Sequence, residues 1–190
     1  MTIDIFRFFI LFNYLAEAST VLKIIQVETD EHKYHIHQLF WEYFNETKLI
    51  FSHQFGINLD VNIFFEQYLT QLHEFLPPSG RLLLGQYEAK IGGCACLRKI
   101  GEDVGEIKRM YVKPEFRRKG IGRALLEAII KETPYMGYSR IRLDSAPFAK
   151  EAHILYRVFG FQDIEPYLEK TEIPLEHRAN WVFMELVLKS

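Results

Sequence analysis

Between Pro77-Pro78-Ser79-Gly80 and Pro114 the chain has room for little except strands. Three runs rich in strand formers, 81–87, 90–100 and 104–112, are separated only by Glu88-Ala89 and Gly101-Glu102-Asp103. A parallel crossover needs a dozen or more residues, so turns of two and three force an antiparallel meander. In the third run Ile107 falls out of phase with Met110 and Val112. That break predicts a β-bulge, a device that re-aims groups beside functional sites.

The segment after the meander carries the chemistry. Arg117-Arg118-Lys119-Gly120-Ile121-Gly122 lies between the third strand, closed by Pro114, and an amphipathic helix that begins near Ile121. The missing side chains at 120 and 122 let a phosphate approach the backbone closely, and the first N–H groups of a helix have no intrahelical partners. The positive end of the helix dipole adds to their pull on an anion. Lys108, Arg109, Lys113, Arg117, Arg118, Lys119 and Arg123 place seven of the 23 bases within 16 residues. With a net charge of only −2, that clustering suits a small polyanion and gives no case for nucleic acid or an anionic membrane.

The flanking segments are read from periodicity. Residues 21–27 form a first strand. A helix over 31–45, capped by Thr29 or Asp30, carries Ile36, Leu39, Phe40, Tyr43 and Phe44 as an apolar stripe. A second helix over 61–75 is capped by Asp60, with Phe64, Tyr68, Leu72 and Phe75 on one side. After the glycine turn, Ile121, Leu125, Ala128 and Ile129 face inward, and Arg123, Glu127 and Lys131 form an outer row. A strand over 139–143 comes next. Pro147 opens a helix with Ala152, Leu155, Tyr156 and Phe159 as its stripe and Gly160 as its stop. A strand from 161, a polar loop over 165–179 and a closing strand over 181–188 complete a mixed α+β order, β-α-α-β-β-β-α-β-α-β-β, on one mostly antiparallel central sheet flanked by helices.

Cys94 and Cys96 share one face of a strand and are badly placed to bridge, so two buried thiols in a reducing cytoplasm are expected. Residues 3–15 are apolar, but Asp4, Arg7 and Asn13 interrupt them and they are too short to span a bilayer. Ala16-Glu17-Ala18 has the spacing of a signal cleavage site, yet the uninterrupted apolar core is only 8–12. The expectation is therefore an apolar extension over 1–20 packed on the domain or on a second subunit, with a homodimer left open, and one domain over 21–190.

Other phosphate sites are eliminated by spacing. A P-loop would need Gly-x-x-x-x-Gly-Lys-Ser/Thr, and a dinucleotide fingerprint would need glycine where Leu125 stands. His35-x-His37 has no carboxylate helper for a metal, so none is expected. What remains closely resembles the GNAT superfamily of N-acetyltransferases, whose turn reads Arg/Gln-x-x-Gly-x-Gly/Ala. Arg117, Gly120 and Gly122 match it, Met110-Tyr111-Val112-Lys113-Pro114 resembles the family's strand ending, and Leu155-Tyr156 before Gly160-Phe161 resembles its second signature. The likeness covers about 21–188 and is strongest over 104–161.

The resemblance implies acetyl-CoA as co-substrate. Backbone groups of Met110, Tyr111 and Val112 would pair with the pantetheine arm. Amides from Arg118 through Lys119, Gly120, Ile121, Gly122 and Arg123 to Ala124 would hold the pyrophosphate. Side chains of Arg117, Arg118, Lys119 or Arg123 would reach the 3′-phosphate. The family's asparagine at the start of the following helix is absent from Pro147-Phe148-Ala149-Lys150, so Lys150 or a backbone group would take its contact. Glu106 stands where some members carry a general-base glutamate, and Tyr156 where the family places the acid that protonates the leaving thiolate. Lys108 and Arg109 are expected to lower the Glu106 pKa. An amine of pKa about 10 must lose a proton before it attacks, and a thiolate of pKa roughly 8.5 takes one as it leaves. A backbone N–H near Tyr111 or Val112 would steady the oxyanion.

The implied activity is transfer of acetyl from acetyl-CoA to the amine of a small molecule, by direct attack in a ternary complex. A non-catalytic CoA-binding module and a protein acetyltransferase are the alternatives. Phe40, Trp41, Phe44, Phe51 and Phe55, with Tyr167, His177 and Arg178, would line the acceptor side, and Asp144 or Glu165 would receive a cationic amine.

Overall fold

The computed structural model describes residues 21–167 and 180–188. The extension over 1–20, and His177 and Arg178 of the polar loop, lie outside the described residues. The elements are β1 (Leu22–Gln26), α1 (Asp30–Phe55), α2 (Val61–Gln71), β2 (Arg81–Tyr87), β3 (Lys90–Lys99), β4 (Val104–Val112), α3 (Ile121–Glu132), β5 (Arg140–Ser145), α4 (Lys150–Val158), β6 (Gln162–Asp163) and β7 (Val182–Val187). Their order is the one expected from the sequence.

Three helices differ in extent; α2, expected over 61–75, ends at Gln71 and tightens into a 3-10 turn over Leu72–Phe75. α1 runs ten residues beyond the expected end because nothing in 46–55 breaks it. Thr29 caps its start through the His32 N–H, and Gly56, at φ 67°, closes it by donating to the carbonyls of Phe51 and Ser52. Phe51 and Phe55 therefore sit on the helix, not on a connecting loop. α4 starts at Lys150, three residues after Pro147, and its cap residue Ala149 makes no side-chain bond.

The seven strands form one sheet in the order β1-β2-β3-β4-β5-β7-β6. Every neighbouring pair is antiparallel except β4 and β5, which run parallel. Helices cover both faces, so the strands bury consecutive residues such as Leu82, Leu83 and Leu84. On one face Phe40 and Phe44 of α1, Tyr68 of α2 and Phe75 of the 3-10 turn that follows it (Leu72–Phe75) pack against Leu82, Leu84, Cys94 and Cys96. On the other, Ile121, Leu125 and Ile129 of α3 and Tyr156 of α4 cover Leu83, Leu97, Ile107, Ile141 and Leu143.

The expected bulge is present. Cys94 pairs with Tyr111 and Cys96 with Lys108, which leaves Arg109 and Met110 opposite the single residue Ala95. Arg109 takes φ 49°, a left-handed conformation costly for a side-chain-bearing residue. The parallel pairing of β4 with β5 runs from Val104↔Arg140 to Ile107↔Leu143 and stops there. Past that point β4 continues through the bulge to Val112, while β5 continues on β7. The two strands splay where the irregularity begins.

Candidate active site

A second irregularity seats α3 against this splay. Gly92 is the extra residue in β3 opposite the Gly85/Gln86 step of β2. A Cβ at Gly85 would lie 2.5 Å from Ile121 Cγ2, and one at Gly92 would lie 2.7 Å from Ile121 Cδ1. Bare backbone at these two positions makes a notch, and the first residue of α3 fills it. Gly120, at φ 84°, caps the helix without any side-chain bond. The amides of Ile121, Gly122 and Arg123 are consequently turned out beside the end of β4, available to an anion, whereas the Ala124 amide, expected among the phosphate donors, is taken by the Gly120 carbonyl at 3.0 Å.

The bases around this turn are dispersed. Arg118 is exposed with φ 64°. The Lys119 ammonium lies 4.9 Å from the Tyr87 ring centre and 5.1 Å from that of Phe116. Arg123 pairs with Glu127 at 3.2 Å and lies 5.0 Å from the Phe159 ring. Arg117 turns the other way: its Nε donates to the Val112 carbonyl at 3.1 Å and its Nη2 to Glu46 of α1 at 2.6 Å. Met110 and Val112 pack toward α3 and α4, whereas Tyr111 packs toward α1. Lys150 is exposed on a cleft of about 680 Å³ between the end of α1 and the start of α4, shared with Gln54, Phe55, Phe148 and Asn180.

Glu106 is the centre of a buried polar cluster. It is fully buried, its Oε2 accepts from Arg98 Nε at 2.9 Å, and its Oε1 accepts from the Tyr167 hydroxyl at 2.7 Å. Lys108 lies 3.7 Å from Oε1 and pairs with Asp144, the first residue of β5 beyond the splay. The expected lowering of the Glu106 pKa is corrected here. Burial raises it above the usual carboxylate range, and the opposing charges of Lys108 and Arg98 only reduce that rise. Arg109 is not among those charges; it hydrogen-bonds Gln71 at 3.2 Å and lies over the Phe40, Tyr68 and Phe75 rings of the α1–α2 face.

Tyr156 is buried on α4, with its hydroxyl 3.7 Å from Met110 Sδ. Burial, with Tyr43 and Asp144 nearby, holds its pKa far above that of a free phenol, so it stays protonated. The splay therefore has a cluster around Glu106 on the sheet face opposite α3 and α4, and a protonated phenol on the α4 face. Of the expected acceptor-side groups, Phe51 packs on Phe55, Phe148 and Trp181 with centroids 5.5 to 5.9 Å apart. Asp144 is engaged by Lys108, and Glu165 is exposed. Among the described residues no group of three or more His, Cys, Asp and Glu is placed to hold a metal.

Sequence reasoning missed Arg98, Tyr167 as a partner of Glu106, and the α1 carboxylates Glu42 and Glu46. Only the last pair left a trace in the sequence, a four-residue spacing that puts both on one helical face.

Residues 33–161 match the family model described as acetyltransferase (GNAT) family. An uncharacterized N-acetyltransferase of Schizosaccharomyces pombe is 32% identical over 116 residues, 60% of this chain and 71% of the relative. One from Bacillus subtilis is 36% identical over 97 residues, 50% of this chain and 61% of the relative. The chain thus spans roughly two thirds of the length of these curated relatives. Among solved structures, a GNAT-family acetyltransferase from Staphylococcus aureus superposes with TM-score 0.67 at 21% identity, covering 88% of this chain and 99% of that one. A Salmonella typhimurium structure holding its cofactor acetyl-CoA gives TM-score 0.57 at 16% identity, covering 90 and 96%. These last two likenesses speak to the fold.

Proposed function

The chain belongs to the acetyltransferase (GNAT) family, whose members are acyl-CoA-dependent N-acyltransferases, and we propose that it moves an acetyl group from acetyl-CoA to the amine of a small molecule by direct attack in a ternary complex. One observation carries this reading. The open amides of α3, the edge of β4 that β5 leaves beyond Ile107 and the Tyr156 hydroxyl border one splay, with a carboxylate cluster on its other side.

In this reading the pyrophosphate rests on amides 118–123, the Ala124 amide being held by Gly120, and Met110, Tyr111 and Val112 lay the pantetheine arm along β4. The neutral amine nitrogen attacks the thioester carbonyl carbon; a C–N bond forms and the C–S bond breaks. A main-chain N–H near Tyr111 or Val112 holds the transient oxyanion. The bound ammonium gives one proton to Glu106 before the attack, and the nitrogen of the tetrahedral intermediate gives its second proton to solvent. Because Glu106 is fully buried, that first transfer runs through an intermediary; of the groups that touch Glu106, Arg98 keeps its charge, which leaves the Tyr167 hydroxyl and Lys108. Asp144, next to Lys108, receives the cationic amine before it is deprotonated. Tyr156 gives its proton to the departing thiolate and regains one from solvent.

Segment 21–190 acts as one domain, and the two buried free thiols support the cytoplasmic assignment. No helix among the described residues is long and apolar enough to cross a membrane.

A thiol-release assay with acetyl-CoA over polyamines, amino acids, aminoglycosides and short peptides, run beside calorimetric CoA titration, tests the proposal. The expected result is CoA binding together with thiol release by at least one small amine. Tight CoA binding without release by any acceptor contradicts catalysis, and release by peptides alone contradicts the small-molecule assignment.

A further inference from the structure

The motif arginine is engaged by two groups of the protein itself. Arg117 spans two groups: Nε holds the main-chain carbonyl of Val112, five residues back, and Nη2 holds Glu46 Oε1 on α1 at 2.6 Å. The second oxygen of Glu46 accepts the Tyr111 hydroxyl at 3.0 Å. One turn earlier on the same helical face, Glu42 takes Lys113 at 2.8 Å. Two α1 carboxylates thus hold three side chains from the stretch that links the cofactor strand to the glycine turn. These bonds join elements more than sixty residues apart, and no backbone pairing ties α1 to that stretch.

We infer that Glu46 is a positioning residue for acetyl-CoA: it braces Arg117 against the Val112 carbonyl, and Arg117 serves the cofactor through this brace, not as a phosphate ligand. The inference rests on the cofactor assignment proposed for the splay. A guanidinium has donors enough to bridge a carbonyl and a carboxylate simultaneously, which an ammonium at the end of a lysine does not reproduce. With both ends engaged, the loop from Val112 to Arg117 is closed internally and fixed externally. The start of α3 and the end of β4 then keep the separation that a bound diphosphate and pantetheine arm require. Phosphate contact is left to the α3 amides and to Arg118, Lys119 and Arg123, of which the last two make their contacts with Tyr87, Phe116, Glu127 and Phe159.

The sign of one effect separates this from the opposite reading, in which Glu46 merely competes with phosphate for Arg117. If Glu46 is a brace, Glu46→Ala weakens CoA binding; if it is a competitor, removing it frees Arg117 and tightens binding. For the brace we expect a rise of roughly 5-fold in the CoA dissociation constant and in KM for acetyl-CoA, with kcat little moved, the worth of a half-exposed charge-assisted bond. Arg117→Ala should do the same, and the double variant should be no worse than the weaker-binding single. Glu46→Gln, which keeps the shape and the Tyr111 bond, should fall between, and Arg117→Lys should fail to restore affinity.

Amide hydrogen exchange on the ligand-free protein reads the brace without any cofactor: residues 112–120 should exchange faster in Glu46→Ala while the β2–β3 core is unchanged. Tighter CoA binding by Glu46→Ala, full rescue by Arg117→Lys, or unchanged exchange at 112–120 overturns the inference. A wild-type protein that shows no CoA binding overturns the cofactor reading instead, and the exchange result still decides the brace.

Discussion

Gly85→Ala places a single methyl group where Ile121 already stands. The new Cβ would lie 2.5 Å from Ile121 Cγ2 and 3.5 Å from Leu125 Cδ1. Ile121 is 1% exposed, and its Cγ2 is fixed to a branched Cβ with few rotamers, so it cannot swing aside as the end of a long side chain would. The start of α3 must move instead. Overpacking of this kind costs about 1–3 kcal/mol, and replacing a strand glycine by alanine returns about 0.5–1 kcal/mol through the unfolded state. The net is roughly 1–2 kcal/mol, or about 2–8 °C in melting temperature for a chain of this size. Because Gly85 is placed in no contact with the cofactor, any loss of CoA affinity must travel through the helix. A rise of roughly 5- to 10-fold in the dissociation constant is expected from displaced amide donors. Ile121→Ala itself costs about 2–5 kcal/mol, but because it removes Cγ2 the double variant should lose less than the sum of the two single losses, a favourable coupling in a double-mutant cycle. Thermal denaturation and CoA calorimetry on the four proteins make the test. A Gly85→Ala protein with unchanged melting and unchanged affinity refutes the notch as the device that positions α3.

Further outcomes concern the polar groups of the splay. Glu106→Gln should lower turnover by roughly 100-fold, the usual scale for losing a general base, in steady-state kinetics with any accepted amine. Burial holds the Glu106 pKa above the usual range, so the rising limb of the wild-type pH–rate profile should lie on the alkaline side of an ordinary glutamate. Tyr167→Phe removes a hydrogen bond that favours the ionised form, so the same limb should move further alkaline, and a limb that moves acidic contradicts the cluster. Tyr156→Phe should reduce turnover while leaving CoA affinity within about twofold, which calorimetry checks.

Local rules made the meander, the bulge and the glycine turn readable in advance. Turns of two and three residues allow only antiparallel pairing, and a break in alternation at Ile107 signals the extra residue that the register shows opposite Ala95. The end of α1 did leave a signal, since 46–55 contains neither glycine nor proline and Gly56 follows directly, but the apolar stripe that marks the helix stops at Phe44 and draws its expected end ten residues short. The environment of Glu106 was hidden for a different reason. Its partners Arg98 and Tyr167 come from β3 and from the segment after β6, and only folding brings them together. Neighbouring bases in the sequence suggested a lowered pKa, whereas burial, which a sequence does not display at one position, decides the direction. Arg117 shows the same limit: its place in the motif was plain, but its engagement by a helix 71 positions earlier was not.

The central claim is that the splay between β4 and β5 holds acetyl-CoA with its diphosphate on the first turn of α3. A crystal structure of the protein soaked with CoA tests it most directly. Diphosphate oxygens are expected on the amides of 118–123, the pantetheine arm along Met110 to Val112, and the sulfur beside the Tyr156 hydroxyl. Coenzyme bound at any other surface, or a bare glycine turn at saturating CoA, contradicts it.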